Sequence, residues 1–327
     1  MWSGGTITHS RRPLYTDGMH LLAYFVAAGF LLGLLFGSFL NVCIARVPAG
    51  QSVLRPASHC MACGHAIRPL DNIPLLSWLR LTGKCRDCSA PIAWRYPAVE
   101  LASGLWFAFC ALRMWDAWHP TANTLHSFIP FWTFQTIGLA ALGFLLLGLI
   151  VIDWQIQRLP DVLTFSGMAI ALFLVCLQAI FLEPLEDQIT FISKHIRLSS
   201  PGSFAARGNV FLTGPEALIF GRVAAVCGAA LILLLIRWGY KAMRKRDGLG
   251  LGDVKLLAMV AAFLGFWPAI LTLFVGVLLA SIYGTALIVR GKANSVTKLP
   301  LGSFLGAAGL IAAVFGGSII GWYRGLL

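Results

Sequence analysis

Apolar residues in this chain gather in long blocks separated by short polar stretches, with no period-two alternation and no narrow helical stripe. The blocks run Leu21–Ala45, Pro97–Leu112, Phe128–Ile152, Val162–Leu182, Ala217–Ile236, Leu256–Gly265, Pro268–Val289 and Leu301–Tyr323. A helix needs about 20 apolar residues to cross ~30 Å of hydrocarbon, and most of these blocks match that length. The pattern predicts an all-α polytopic membrane protein with about eight transmembrane helices. Glu100 interrupts the second block and Arg222 the fifth, and the sixth is short unless it begins near Asp253. An even number of crossings puts both termini on one side.

Composition sharpens this picture. The 327 residues are 58% hydrophobic and only 12% charged, whereas soluble domains carry about 25% charged residues. The net charge of +12 invites a nucleic-acid partner, but its distribution points to membrane topology instead. Seventeen Lys and Arg fall in the segments 46–96, 153–161, 237–255 and 290–300, and seven in the opposite loops and tails. The rich side is cytoplasmic by the positive-inside rule, so both termini face outward and no nucleic-acid partner is expected. The first block is too long for a signal-peptide core and no small-residue cleavage site clearly follows it. The expected organisation is an outward tail (1–20), a first transmembrane helix (21–45), a cytoplasmic loop (46–96) and a polytopic domain (97–327). Within the last lies an outward insert (183–216) holding Glu183, Glu186, Asp187 and a Ser/Pro/Gly stretch, without a motif.

The loop 46–96 is too small to hold together by apolar burial alone. It carries Cys60 and Cys63 in HCMACGH, then Cys85 and Cys88 in GKCRDCSAP. Two C-x-x-C knuckles at this separation suit tetrahedral thiolate coordination of a structural zinc, or of iron in the same site. Two disulfides are the alternative, disfavoured by the reducing compartment that the charges assign to the loop. His59 and His65 flank the first knuckle and are surplus to a filled four-sulfur shell. Cys43, Cys110, Cys176 and Cys227 lie in apolar blocks and read as small buried residues.

Carboxylates at membrane depth are costly and therefore few. Asp153 closes the third block in GLIVIDWQIQRLPD, Asp161 follows in the LPD turn, and Asp253 opens the sixth block in GLGLGDVKLLAM. All three fall at the predicted cytoplasmic boundary. They either cap helices there, or two of them share a proton and activate water against a peptide carbonyl. Gly248, Gly250 and Gly252 would let the backbone approach an extended substrate. Lys255 is expected on another helix face, snorkelling to the surface. A transporter would place its ionisable groups near the midplane instead. Glu100 is expected to pair with Arg95, and Gly33 with Gly37, and Gly317 with Gly321, to make close helix contacts.

GSFLNVCIARVP (37–48), the four-cysteine loop with NIPLLSWL between its knuckles, WRYPAVEL (94–101), IDWQIQRLPDVLT (152–164) and GLGDVKLLAM (250–259) together resemble the bacterial prepilin peptidases of type IV pilus and type II secretion systems. That family is similar to the wider group of intramembrane aspartyl proteases with a Gly-x-Gly-Asp motif, here Gly250 to Asp253. The resemblance implies a bacterial inner-membrane enzyme whose active site faces the cytoplasm. Its substrates would be prepilins or pseudopilins, cut between a short basic leader and a hydrophobic helix. It implies Asp153 and Asp253 as the catalytic pair, with Asp161, Gly250, Gly252 and Lys255 as supporting residues of the motifs. It also implies N-methylation of the new terminus from S-adenosylmethionine, although no glycine-rich nucleotide loop marks a site for that cofactor. Two features depart from the family: the long insert, and LPLGSFLG (299–306) where Pro-Phe-Gly-Pro is more frequent. Both are expected to lie away from the aspartates.

Overall fold

The computed structural model describes residues 13–118, 129–186, 189–192, 195–198, 214–245, 250–291 and 299–326. Its helices are α1 (Pro13–Arg46), the short α2 (Leu76–Arg80), α3 (Arg95–Trp118), α4 (Ile129–Ile156), α5 (Asp161–Glu186), α6 (Gly214–Arg244), α7 (Leu251–Leu264), α8 (Phe266–Val289) and α9 (Leu301–Arg324). A 3-10 turn, Pro69–Asp71, precedes α2. The insert contributes an antiparallel strand pair, β1 (Ile189–Ile192) with β2 (His195–Leu198). The ends of the expected insert, 183–186 and 214–216, belong to α5 and α6, while its residues 187–188, 193–194 and 199–213, the first twelve residues and Gly248 lie outside the described residues.

Seven helices among the described residues are long and apolar enough to cross a membrane: α1, α3, α4, α5, α6, α8 and α9. The sixth apolar block differs from expectation. It forms α7, whose 14 residues extend only about 21 Å, short of a full crossing. Its sequence is apolar on every side because it runs through the centre of the bundle, with Val254 and Leu256 through Ala262 all buried. A helix that stops inside a membrane protein leaves carbonyls without partners. Here Arg222 of α6, the charge that interrupts the fifth block, donates from Nη1 to the Phe263 carbonyl at 2.9 Å. Gly265 (φ +91°) then turns the chain directly into α8.

Small residues let the helices approach closely. A Cβ added at Gly33 would meet Gly104 Cα at 2.8 Å, and one at Gly37 would meet Glu100 Cα at 2.7 Å. α1 and α3 therefore form a tight pair, as the spacing predicts. A Cβ added at Gly317 or Gly321, by contrast, would meet nothing within 4 Å, so the second expected small-residue contact does not form among the described residues. Cys43 and Cys110 are buried, whereas Cys176 and Cys227 lie on the helix surface, an apolar environment only if lipid supplies it. The core joins Leu40 of α1, Leu142, Leu146, Leu149 and Ile152 of α4, Leu257 and Met259 of α7, and Leu305 of α9. Gly148 of α4 lies against Leu40, which places the C-terminal end of α4 beside the end of α1 that leads into the cysteine loop.

Candidate active site and metal centre

Three helix ends meet beside the last turn of α4. Asp153 occupies that turn and is 5% exposed. Gln157, at φ +52°, donates its N–H to the Asp153 carbonyl at 2.9 Å and ends the helix. Leu159 in the following turn is the wedge of the site. A Cβ added at Gly252 would stand 3.1 Å from Leu159 Cβ, and one at Gly302 would stand 2.9 Å from Leu159 Cδ1 and 3.0 Å from Asp153 Cγ. Glycine at both positions allows the N-termini of α7 and α9 to close on the end of α4. Helix N-termini direct unpaired N–H groups and positive dipole ends at whatever lies before them, and here these are carboxylates.

Asp253 stands in the first turn of α7, and its Oδ2 accepts the Gly250 N–H at 3.3 Å. Leu159, in contact with the positions of both Gly252 beside Asp253 and Gly302 beside Asp153, brings the two aspartates to one place. Gly250 itself has an ordinary extended conformation, φ −72° and ψ 145°. Its lack of a side chain matters because a Cβ would lie 3.2 Å from Asp253 Oδ2. Asp161 begins α5, and its Oδ1 receives Lys255 Nζ at 2.6 Å. Lys255 also lies 5.2 Å from the Phe165 ring centre. Lys255 pairs with Asp161 rather than with Asp253, in keeping with its expected place on another helix face, and so ties α7 to α5. Three rings border the site, Trp154, Tyr283 and Phe304, with centres 5.4–6.3 Å apart.

The expectation that LPLGSFLG avoids the aspartates is also overturned. Ser303 donates its N–H to Asp153 Oδ2 at 2.7 Å, and its Oγ lies 3.0 Å from the same oxygen. Nothing titratable marks this segment. The available signal was a Pro-x-Gly-Ser run opening a helix, which is a generic N-terminus.

At the same end of the bundle, the sulfurs of Cys60, Cys63, Cys85 and Cys88 lie within 4.8 Å of one another. Tetrahedral zinc with Zn–S bonds of about 2.3 Å requires sulfurs about 3.8 Å apart, and Cys60 and Cys88 stand at 3.8 Å. The cluster therefore fits a metal ion. The two knuckles are built alike. Cys60 N–H bonds to the His65 carbonyl and Cys85 N–H to the Ala90 carbonyl, at 2.9 and 2.8 Å. Bridges at His59–Ala66 and Lys84–Pro91 close them, and Gly64 and Ser89 take positive φ. N–H groups of Cys63 and Ala62 pull the Cys60 thiol down to about 6, while Cys63 and Cys88, desolvated and crowded by the neighbouring sulfurs, are pushed up, so a metal would have to displace protons from the cluster. A second fastening lies on Asp71, which receives Arg86 at 2.6–2.7 Å and Arg80 at 2.5 Å. The Arg86 guanidinium, with Arg80 beside it, holds that carboxyl down at about 2.

Glu100 anchors the loop to α3 by accepting the Leu75 N–H at 2.8 Å. That bond replaces the expected pairing with Arg95, which stacks on Tyr96 instead. Near this junction of α1 and α3, Asn41 Oδ1, Arg95 Nε and Ser103 Oγ are buried without a hydrogen-bond partner among the described residues.

A membrane helix bundle that brings two aspartates together at one end has the arrangement of an intramembrane aspartyl peptidase. Comparison with known proteins agrees. Residues 31–114 match the model of the bacterial peptidase A24 N-terminal domain, and residues 140–285 that of the type IV leader peptidase family. A prepilin leader peptidase/N-methyltransferase of Stutzerimonas stutzeri is 32% identical over 91% of this chain and 93% of its own length. One of Pseudomonas aeruginosa is 33% identical over 93% and 94%. One of Myxococcus xanthus is 35% identical over 89% and 70%. No solved structure gives a significant match. The chain belongs to the type IV leader peptidase family.

Proposed function

We propose that this protein cleaves the short basic leader from prepilins or pseudopilins at the cytoplasmic face of the bacterial inner membrane, with Asp153 and Asp253 as the catalytic pair. It then methylates the amine it exposes. The observation that carries the peptidase reading is the convergence of the helix ends that hold these two carboxylates, α4 and α7, around Leu159 in a chain of this family. One ionised carboxylate takes a proton from water while the other, protonated, donates to the scissile carbonyl oxygen. The substrate's basic leader suits the anionic inner leaflet, and its hydrophobic helix suits the bilayer, so the scissile bond lies at their boundary.

The four cysteines hold one structural zinc. They keep the loop folded and take no part in bond cleavage. S-adenosylmethionine, when bound, supplies an electrophilic methyl group to the new N-terminus. Asn41 and Ser103 carry buried polar atoms without a partner among the described residues, but at 4% and 0% exposure they lie closed in the seam between α1 and α3 and do not form a site for it.

The test is to incubate membranes containing the protein with a prepilin and weigh the product. Loss of the leader mass is expected, with one further methyl group when the methyl donor is present. A substrate left whole by correctly inserted, metal-loaded protein overturns the peptidase reading. A product that is cut completely and never methylated overturns the second activity alone.

Asp161 serves as the control carboxylate. Its side chain is 60% exposed and that of Lys255 28%, and pairs of this kind contribute about 1 kcal/mol or less. Asp161→Asn should therefore slow cleavage by roughly fivefold at most. An initial-rate assay checks this, and complete loss would move Asp161 into the catalytic set.

A further inference from the structure

We infer that Ser303 is a positioning residue that makes Asp153 the base of the pair and leaves Asp253 the acid. The inference rests on the peptidase reading above and deepens it.

The two carboxylates are held very unequally. Asp153 Oδ2 lies 2.7 Å from the Ser303 N–H nitrogen and 3.0 Å from its hydroxyl oxygen. Ser303 is 4% exposed, so water competes little for either donor. It also stands in the first turn of α9, whose peptide dipoles point positive charge toward the carboxylate. Asp253 lies in the first turn of α7 and so has a helix dipole as well, but among the described residues it receives only one backbone N–H of that helix start, at 3.3 Å, and no hydroxyl, so the donors make the difference. Donors stabilise the charged form of an acceptor, and the better-furnished Asp153 is accordingly the ionised member. With Oδ2 occupied, Oδ1 is the oxygen left to take a proton.

The Ser303 hydroxyl has a second acceptor, the Ile150 carbonyl, also at 3.0 Å. A single O–H proton serves only one acceptor at a time. It bonds Oδ2 while Asp153 is charged and turns to Ile150 when Asp153 has been protonated, so no buried group loses its partner during the cycle.

The sequence of transfers balances. A water proton passes to Asp153 Oδ1 as the water oxygen bonds the scissile carbon, and the Asp253 proton passes to the carbonyl oxygen. The resulting gem-diol collapses as the C–N bond breaks. The leaving nitrogen takes the proton from Asp153, and one diol proton returns to Asp253, restoring both groups.

The experiment is steady-state cleavage of a prepilin by the full-length protein in membranes, with rates expressed per folded, metal-loaded molecule. Ser303→Ala is expected to lower kcat about tenfold with KM unchanged, and Ser303→Thr, which keeps the hydroxyl, to recover most of the loss. The sign is diagnostic. If Asp153 were the acid, removing a donor from Oδ2 would favour its protonated form and leave kcat equal or higher. A kcat for Ser303→Ala at or above the parent, or a loss expressed in KM alone, overturns the inference. So does a Thr variant as slow as Ala. Asp153→Asn run alongside separates the two levels: if it still cleaves, the peptidase reading itself has failed. If it is dead while Ser303→Ala is unimpaired, only the positioning role is lost.

Discussion

Asp153→Asn and Asp253→Asn are each expected to reduce prepilin cleavage by about a thousandfold or more, while leaving insertion in the membrane and the metal content of the loop unchanged. The two side chains come from helix ends about a hundred residues apart in the sequence and serve one reaction coordinate. An amide at either place can neither accept the water proton nor return one. Because the carboxylates act as a unit, the double variant should be no slower than either single variant. The substitutions are nearly isosteric. An amide in place of the Asp153 carboxylate would keep an oxygen for the two Ser303 donors, and one in place of the Asp253 carboxylate would keep an oxygen for the Gly250 N–H. The helix ends should therefore stay closed and the loss be chemical. The measurement is the initial rate of leader release by mass spectrometry, with protein quantified in the same membranes. Normal processing by Asp153→Asn together with complete loss in Asp161→Asn would show that the wrong member of the first aspartate cluster had been chosen.

What could be read from the chain before its structure follows from the range of each interaction. Blocks of about twenty apolar residues announce themselves because bilayer thickness sets their length. The C-x-x-C knuckles do so because one metal dictates their local geometry. α7 was legible as apolar and as the shortest block, but not as a helix that stops short of a full crossing, since a helix buried on every side has no polar face to mark where it ends. Its end is decided by Arg222, which on the sequence looks only like a flaw in another span. Ser303 was invisible for a related reason: its bond to Asp153 joins residues 150 positions apart, and a serine in a helix's first turn has many other uses. The partner of Glu100 was misjudged because nearness in sequence stood in for nearness in space, and for Lys255 the sequence offered no partner. Lys255 pairs with Asp161, 94 positions away, and Glu100 with the Leu75 backbone. The repeated knuckle was present all along in the matched positions of HCMACGHA and KCRDCSAP, a similarity that the equal closing bridges explain.

Changing Cys60 or Cys88 to serine should release the metal and open the loop 46–96 to proteolysis. Within this segment the 3-10 turn has no buried residue and α2 only Ser77, while Leu54, Met61, Leu70, Leu76 and Leu79 are all exposed. Apolar burial therefore contributes little, and the fold depends on the four sulfurs and on the Asp71 clamp. A structural zinc contributes about 10–16 kcal/mol of apparent binding energy in small domains at pH 7, so losing one ligand exceeds anything the remaining contacts can offset. Asp71→Asn separates the two fastenings: it frees Arg80 and Arg86 and should loosen the chain between the knuckles while zinc stays bound. Acid should dissect them in the opposite order. The Asp71 carboxyl titrates at about 2 against an ordinary value of 3.8. Because its folded value is depressed, the clamp's contribution is present above the ordinary value and disappears only as pH falls through about 2. Thiolates, by contrast, must lose their metal once protons compete for sulfur at mildly acid pH. Zinc measured by a chromogenic chelator should thus appear in solution while the clamp is still closed, and protease cuts near the cysteines should precede cuts near Asp71. One zinc per chain persisting after all four cysteines are replaced would exclude the thiolate site, and a loop equally resistant with and without metal would deny it a structural part.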